Sequence, residues 1–267
     1  MERDLVFDIG VNNGEDTSYY LRRGFRVVAV DANPAMVAFC ERRFQPEIRT
    51  GHLVLLNVGL APEEGVASFF VSEGNGGVWS SLDPALASRG DLATHTVTVP
   101  TRSLRGLVQE YGVPFYLKVD IEGAEQLCLQ DIDRDDAPAY VSFEAHEGRL
   151  ENLFLLARAG YTRFKLIDQL TFRQVVPPPL HSVKSAVATL SRVAKARVRR
   201  LIRRERTPSP ALRQLATPRP QESSMSSGPM AEETDGSWRS VEEVAYAWLY
   251  YVRETITSNW YDVHAAR

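Results

Sequence analysis

The feature that most restricts the fold of this chain is a regular alternation of short apolar runs and helix-like segments through its first two thirds. The apolar runs include Leu5–Ile9, Phe25–Val30, Ala67–Val71 and Thr94–Pro100. Amphipathic stretches separate many of them, and the first such stretch ends at Gly24. Strands that alternate with helices pair in parallel and bury both faces of their sheet. The sequence therefore predicts an α/β fold, a doubly wound, mostly parallel sheet with helices on both faces.

A change in composition after residue 174 divides the chain into three regions. Residues 1–174 form the predicted α/β domain. Residues 175–228 combine a basic helix with a Pro/Ser-rich insertion, which buries little apolar surface and is expected to be partly disordered. Residues 229–267 contain Ser240 and Glu243, the pattern of a capping box, ahead of an apolar helical face. This last region is predicted to be a helical segment that docks on the core.

Bulk properties favour a soluble protein of the cytoplasm. The hydrophobic content of 44% is enough for a sizeable core, and no apolar run approaches the ~20 residues of a membrane-spanning helix. No signal-peptide pattern is visible at the start. The two cysteines both lie in helical patterns, which favours a reducing compartment. The net charge of −3 gives no global reason to expect nucleic acid.

The loop after the first predicted strand indicates a bound ligand. Gly10 and Gly14 lie on this loop, and Asp31 ends the second strand. Glycine permits a positive φ and leaves no Cβ in the way of a ligand. A carboxylate at the end of the second strand can accept both hydroxyls of a ribose. These features indicate an adenosine-containing cofactor at the carboxyl ends of the strands; the alternative is that the glycines only form a tight turn.

Charges at the start of the next helix distinguish between two such cofactors. A dinucleotide needs G-x-G-x-x-G and a helix N-terminus that faces its pyrophosphate. Here one glycine is missing, and Glu15 and Asp16 would repel a pyrophosphate. They do not repel a cofactor that has a sulfonium and no phosphate, and Asp8 adds an acceptor for an ammonium group. The sequence therefore predicts S-adenosylmethionine rather than NAD.

Five motifs between residues 5 and 146 resemble those of the FkbM family of S-adenosylmethionine-dependent methyltransferases. In the order of the family they are VFDIGVNNGEDT, VVAVDANP, VPTRSL, YLKVDIEGAE and VSFEAH. The resemblance implies a Rossmann-like class I methyltransferase fold and methyl transfer to oxygen, usually a hydroxyl of a sugar, polyketide or other natural product. Two features depart from the family: Asp31 stands where many members have glutamate, and 175–228 has no counterpart in a minimal member.

The resemblance adds cofactor contacts to those that the loop indicates. It implies that Asn57 and Val58 lie at the adenine ring, and that Ser81 belongs to a serine loop over the cofactor. The expected cofactor-binding residues are Asp8, Gly10, Asn12, Gly14, Asp31, Ala32, Asn57, Val58, Ser81 and Asp120.

Polar residues at the ends of later strands are the candidate catalytic groups. Methyl transfer to a hydroxyl requires that both reactants are held in register and that the acceptor loses a proton. Asp120, Glu144 and His146 end two strands, and His146 is the first candidate for the general base because its natural pKa is near neutrality; it could also be a solvated strand-end residue. With Glu122 they could instead gather magnesium, which we do not predict. Lys118 is expected to pair with a carboxylate.

A basic stretch over residues 184–206 suggests partners and rival functions. It carries nine lysine and arginine residues among apolar residues at helical spacing. This pattern is typical of an element that binds an anionic membrane, as a peripheral protein, or an acidic carrier; the alternative is a solvated helix. An RNA methyltransferase is the second candidate, although no aromatic platform accompanies the arginines, so nucleic acid is not favoured. A non-catalytic cofactor-binding module is the third, and the intact glycine loop argues against it.

Overall fold

The computed structural model of the chain describes residues 1–73, 80–88, 93–177, 228–252 and 260–267. Within these ranges the strands are β1 (Glu2–Ile9), β2 (Arg26–Asp31), β3 (Leu53–Asn57), β4 (Gly59–Leu60), β5 (Gly65–Ser72), β6 (Thr94–Arg102), β7 (Pro114–Val119), β8 (Tyr140–Glu144), β9 (Arg163–Asp168), β10 (Arg173–Gln174) and β11 (Tyr261–Ala266). The helices are α1 (Glu15–Arg22), α2 (Pro34–Arg43), α3 (Gln45–Arg49), α4 (Pro84–Ala87), α5 (Leu104–Tyr111), α6 (Glu125–Leu129), α7 (Glu151–Arg158) and α8 (Val241–Tyr251), with a 3₁₀ turn at Ala231–Glu233.

A large sheet with the strand order β10-β9-β11-β8-β7-β1-β2-β3 forms the centre of the fold. The strands β3, β2, β1, β7 and β8 are parallel neighbours. β11 runs antiparallel to both β8 and β9, and β10 runs antiparallel to β9. The strand order reverses at β1, which is where open α/β sheets bind their ligands. The prediction of a doubly wound, mostly parallel sheet is confirmed.

Apolar side chains on both faces of the large sheet pack against helices. On one face, residues such as Phe7 and Phe143 pack with α5, α6, α7 and α8. On the other face, Val6 packs with Tyr20 of α1 and Cys40 of α2. Both cysteines are buried and free. The two layers hold the carboxyl ends of β1, β2, β7 and β8 at one rigid edge.

Helix starts are fixed by caps that the sequence supplies. The side chain of Asn33 accepts a backbone N–H of the first turn of α2 at 3.0 Å, and Pro34 occupies a position where no N–H is needed. Ser240 and Glu243 form the predicted capping box at the start of α8. Because α2 begins directly after β2, the end of β2 lies beside a helix N-terminus.

Two predicted strands do not join the large sheet. Ala67–Val71 lies in β5 and Thr94–Pro100 lies in β6, and these strands pair antiparallel in a separate three-stranded sheet of order β4-β6-β5. The expectation that they continue the parallel series is therefore wrong. Phe69 and Val71 of β5 and Val99 of β6 form a small buried cluster, whereas the first four residues of β5 and the first three of β6 are mostly exposed. This is expected for strands that cover only one side of a core.

The end of the chain forms a strand inside the large sheet. The predicted helix of residues 229–267 is present as α8, but Tyr261–Ala266 then forms β11 between β8 and β9. Every residue of β11 is buried. This region therefore completes the sheet, in addition to docking a helix on it, and the expectation of a purely helical segment is wrong for its last residues.

The basic stretch of residues 184–206 and most of the Pro/Ser-rich insertion lie outside the described residues. The expectations of partial disorder and of an anionic partner for this region stay predictions. Among the described residues, no helix combines the length and the apolar character that a bilayer span requires.

A pair of valine substitutions tests the central position of β11. Val263 is fully buried, whereas Val66 on β5 is 75% exposed. We expect Val263→Ala to lower the free energy of unfolding by about 2 kcal/mol, since two buried methyl groups are lost and a void remains. The control, Val66→Ala, should change it by less than about 0.5 kcal/mol. Urea denaturation measures both, and equal effects would contradict a buried central strand.

Candidate active site

One buried lysine connects the elements that meet where the strand order reverses. Lys118, on β7, lies with its Nζ 3.2 Å from Asp8 Oδ1, 3.4 Å from Asp16 Oδ2 and 3.7 Å from Asp120 Oδ2. The same ammonium donates a hydrogen bond of 2.9 Å to the carbonyl oxygen of Gly10. The expectation that Lys118 pairs with a carboxylate is confirmed. This cation holds β1, β7 and the start of α1 together.

Charge balance in this cluster is visible in the pKa shifts of its members. Burial alone would lower the pKa of Lys118, but the carboxylates of Asp8, Asp120 and Asp16 hold it well above its ordinary value. Burial raises the pKa of Asp8, although Lys118 and a hydrogen bond of 2.5 Å from the Thr17 hydroxyl oppose that shift. Several carboxylates therefore depend on one ammonium.

The two glycines of the loop after β1 allow the backbone to turn, and they also allow neighbouring groups to pack closely against it. Gly10 has a φ of +87°, and a Cβ there would overlap the carbonyl oxygen of Asp120. Gly14 has a φ of +79° at the N-cap of α1, and its Cβ would overlap the ring of Phe44. Only glycine fits at either position. The loop after β1 and the loop after β7 are consequently in backbone contact.

Asp31 is held in place by two backbone donors. Its carboxylate oxygens accept the N–H of Asn12 at 2.7 Å and the N–H of Asn33 at 2.8 Å. Burial raises its pKa, and these two hydrogen bonds oppose the shift. The amide of Asn57 donates to the carbonyl oxygens of Asp31 and Ala32 at 2.9 and 3.2 Å. The carboxylate is fixed in orientation and retains lone pairs for ligand hydroxyls.

A cavity of about 350 Å³ opens at this edge of the sheet. Its volume is in the range of small-molecule sites. Seven of the residues expected from the sequence line it: Gly10, Asn12, Asp31, Ala32, Val58, Asp120 and Glu144. The structure therefore brings the predicted ribose carboxylate and two of the three predicted catalytic groups into one space.

Five expected site residues lie outside the lining of this cavity. Asp8 is fully buried beneath the loop and is paired with Lys118, so it does not offer an acceptor to an ammonium group. Asn57 instead shapes the backbone after β2, and Gly14 packs on α2. Ser81 is buried with its hydroxyl bonded to a backbone N–H at 3.2 Å, while Ser80 lines the cavity.

His146, the fifth, does not fit the expectation of a general base that is neutral at pH 7. Its Nε2 lies 3.0 Å from Glu144 Oε2 and 3.4 Å from Glu125 Oε1. Burial alone would lower its pKa, but Glu125 and Glu144 raise it to about 10. The ring therefore carries its proton at neutral pH and cannot accept another.

Of the two carboxylates at the start of α1 that were expected to repel a pyrophosphate, only Glu15 faces the cavity. Glu15 lines the cavity, but Asp16 is 4% exposed and turned toward Lys118. The sequence pattern could not show this difference, because both residues belong to the first turn of α1. Glu15 still gives the helix start a negative charge that a pyrophosphate would meet.

Several lining residues were not expected from the sequence. The polar and aromatic ones include Gln169, which follows β9, and Trp260, which precedes β11. Met36, Phe69 and Leu82 supply apolar surface. Gln169 could have been found because it follows the carboxyl end of a strand. Trp260 could not, because only the antiparallel direction of β11 places its start at that edge.

Carboxylates dominate the end of the cavity near β7 and β8. Ligand oxygens of Asp120, Glu122 and Glu144 all lie within 4.8 Å of one another. Burial raises the pKa of Asp120 to about 7, with Lys118 lowering it and Glu144 raising it further. Oxygen donors of this kind suit magnesium, but carboxylates gather in this way without a metal, and no ion is assigned. This end can hold cationic or hydroxyl groups.

Comparison with known proteins identifies the family. The family model for the methyltransferase FkbM domain matches residues 8–170, which is more than half of the chain. The chain therefore belongs to the FkbM family of methyltransferases, which use S-adenosylmethionine. Both the predicted family and the predicted Rossmann-like class I methyltransferase fold are confirmed.

Solved structures give weaker likenesses. The geranyl diphosphate methyltransferase in complex with S-adenosylmethionine is 11% identical, with a TM-score of 0.41 over 99% of this chain and 78% of that chain. The precorrin-6y C5,15-methyltransferase from Geobacter metallireducens GS-15 is 12% identical, with a TM-score of 0.36 over 64% and 71%. None of the curated proteins matches the chain. The family assignment rests on the family model.

The residues present fit this cofactor. The fixed carboxylate of Asp31 suits a ribose, and Val58 and Leu60 give apolar surface for an adenine ring. Glu15 and Asp120 supply negative charge in the same cavity, which a sulfonium favours. The negative charge of Glu15 at the start of α1 agrees with a cofactor that has no phosphate.

Two alanine substitutions distinguish the effect of close packing around Gly10 from the effect of a positive φ alone. Gly10→Ala would place a Cβ against the Asp120 carbonyl, whereas Gly24 has nearly the same φ, +84°, and open space around its Cβ. We expect Gly24→Ala to cost about 1 kcal/mol of stability with unchanged cofactor affinity. Gly10→Ala should reduce S-adenosylmethionine affinity by at least about 100-fold, because the two loops must separate. Calorimetric titration and thermal melting measure these effects; equal affinities would contradict the contact.

Replacing the buried lysine tests the charge cluster. Lys118→Met should destabilise the protein by about 3–5 kcal/mol, because Asp8 and Asp16 stay buried without their cation. Adding Asp8→Asn removes one of those charges, so the double variant should recover part of the loss. Urea denaturation of the two variants measures the recovery. A double variant less stable than Lys118→Met would show that Asp8 is held by other contacts.

Proposed function

We propose that the protein transfers a methyl group to a hydroxyl oxygen of a small molecule, such as a sugar or another natural product. The observation that carries this proposal is the cavity that joins Asp31, at the cofactor end, to Asp120 and Glu144 at the other end. S-adenosylmethionine, when bound, supplies the methyl group from its sulfonium. The chain's own residues then have to orient the acceptor and take its proton.

Asp120 is the group best placed to take that proton. It lines the cavity, it follows β7 directly beside the glycine loop, and it keeps one carboxylate oxygen 3.7 Å from Lys118. A pKa of about 7 is close to the value that favours proton transfer near neutral pH. Lys118 prevents the pKa from rising further and so keeps part of the carboxyl ionised. Asp120 therefore replaces His146 as the proposed general base.

The acceptor end also favours a small hydroxyl compound over a nucleic acid. Glu15, Asp120, Glu122 and Glu144 all line the cavity, so a phosphate backbone entering it would be repelled. The amide of Gln169 and the indole of Trp260, which is 55% exposed, offer a hydrogen-bonding group and a flat apolar surface. A sugar ring or a polyketide alcohol uses both kinds of contact.

An activity assay with isotope-labelled S-adenosylmethionine tests the proposal. We expect methyl transfer to one or more members of a panel of sugars and polyketide alcohols, with the new methyl group on oxygen when the product is examined by NMR. Total RNA and amine compounds belong to the same panel. Labelled RNA, or a product methylated on nitrogen, would contradict the proposal. Cofactor binding without transfer to any acceptor would favour a binding module.

Substitution of the proposed base gives a second test. Asp120→Asn should lower the rate of methyl transfer by about 10²–10⁴-fold, while Asp133→Asn, at an exposed surface pair with Arg105, should not change it. In the wild-type enzyme the rate should rise with pH through about 7, because only the ionised carboxylate accepts a proton. The Asp120→Asn variant should lose that limb of the profile. An unchanged limb would assign it to another group.

A further inference from the structure

The loop between β7 and α6 lines the cavity and has an unusual backbone. Its residues Asp120, Ile121, Glu122 and Ala124 all contribute to the lining. Glu122 has a φ of +56° and Gly123 a φ of +95°, so two consecutive residues lie in the left-handed region. For Glu122 this conformation costs free energy and needs support from its surroundings. Contacts from outside the loop must therefore hold it.

The carboxylate of Glu125 supplies part of that support. Its Oε1 accepts the N–H of Gly123 at 2.8 Å and the N–H of Ile121 at 3.3 Å. Left-handed turns of this kind direct their N–H groups toward an anion. Glu125 is fully buried, so its charge needs a nearby cation. The loop thus depends on a carboxylate that is shielded from water.

His146 is the cation that meets this need. Its Nε2 lies 3.4 Å from Glu125 and 3.0 Å from Glu144. Further acidic groups lie nearby among the described residues: Asp120 interacts with both glutamates, and Asp262 is the partner of Glu144 in the β8–β11 ladder. The cation Lys118 lies beyond Asp120, 3.7 Å from its carboxylate. The imidazolium therefore balances the glutamate at the end of β8 and the glutamate at the start of α6 at the same time.

We propose that His146 is a positioning residue, a clamp that holds Glu125 and, through it, the Asp120–Ala124 loop in the shape that binds cofactor and acceptor. This role rests on the proposed function of the cavity, since it assigns Asp120 as the base and His146 as its support. It explains why a histidine stands at the strand end and yet lies outside the lining. It also predicts that another cation can replace it.

Calorimetric titration of the full-length protein with S-adenosylmethionine compares three variants. His146→Gln removes the charge, and we expect its affinity for the cofactor to fall by at least about 10-fold, because the loop loses its support. His146→Arg keeps a charge that cannot act as a base near neutral pH, and it should stay within about 3-fold of the wild type. His95→Gln, at an exposed histidine 3.5 Å from Glu73, is the matched control and should change nothing.

The pattern among the variants separates the clamp from simpler roles. A side chain that only fills space would be served by Gln at least as well as by the bulkier Arg. A general base would leave cofactor affinity unchanged in all three variants. Wild-type affinity in His146→Gln would therefore overturn the proposal, and so would an equal loss in the Gln and Arg variants of a folded protein.

NMR of the histidine ring in the wild-type protein gives an independent answer if the variants fail to fold. The ring signal of His146, assigned through its connection to the backbone signals of the wild-type protein, should stay that of the charged form up to at least about pH 9. Titration near the ordinary value for histidine would contradict the clamp. This readout needs no acceptor, so the clamp can fail while the proposed methyl transfer holds, and the reverse.

Discussion

The active-site edge of this protein depends on Lys118, a buried ammonium among three carboxylates. Its stem comes from β7, and its partners come from β1, α1 and the loop after β7. It also bonds the carbonyl of Gly10, the glycine against which the Asp120 carbonyl packs. Without this cation, the carboxylates that approach one another at the strand ends would repel each other. Lys118 therefore allows an acidic cavity to exist in a folded chain.

We propose a similar function for His146, which lies 3.0 Å from Glu144 and 3.4 Å from Glu125. Lys118 lies 3.7 Å from the proposed base Asp120, and in this proposal His146 supports the loop that carries Asp120. Negative charge in the cavity suits a sulfonium cofactor and an acceptor hydroxyl that must lose a proton. Neither cation lines the cavity, whereas the carboxylates of Asp31, Asp120 and Glu144 do.

Much of the fold could be predicted from the sequence because apolar residues recur at the spacing typical of strands and helices. The glycine loop, Asp31 and the strand-end carboxylates all follow from the rule that α/β sheets bind ligands at one edge. What could not be predicted is the direction of single side chains. Asp8 was expected to contact the ligand and Asp16 to repel a pyrophosphate, yet both side chains lie beside Lys118. Trp260 was missed because strand direction is not encoded in a local pattern.

Calorimetric titration of the wild-type protein with S-adenosylmethionine and with NAD, repeated on Asp31→Ala, tests whether the acidic cavity around Asp31 accepts a sulfonium cofactor and rejects a pyrophosphate. We expect binding of S-adenosylmethionine alone, strongly weakened in Asp31→Ala. Binding of NAD, or S-adenosylmethionine binding that does not depend on Asp31, would contradict this expectation.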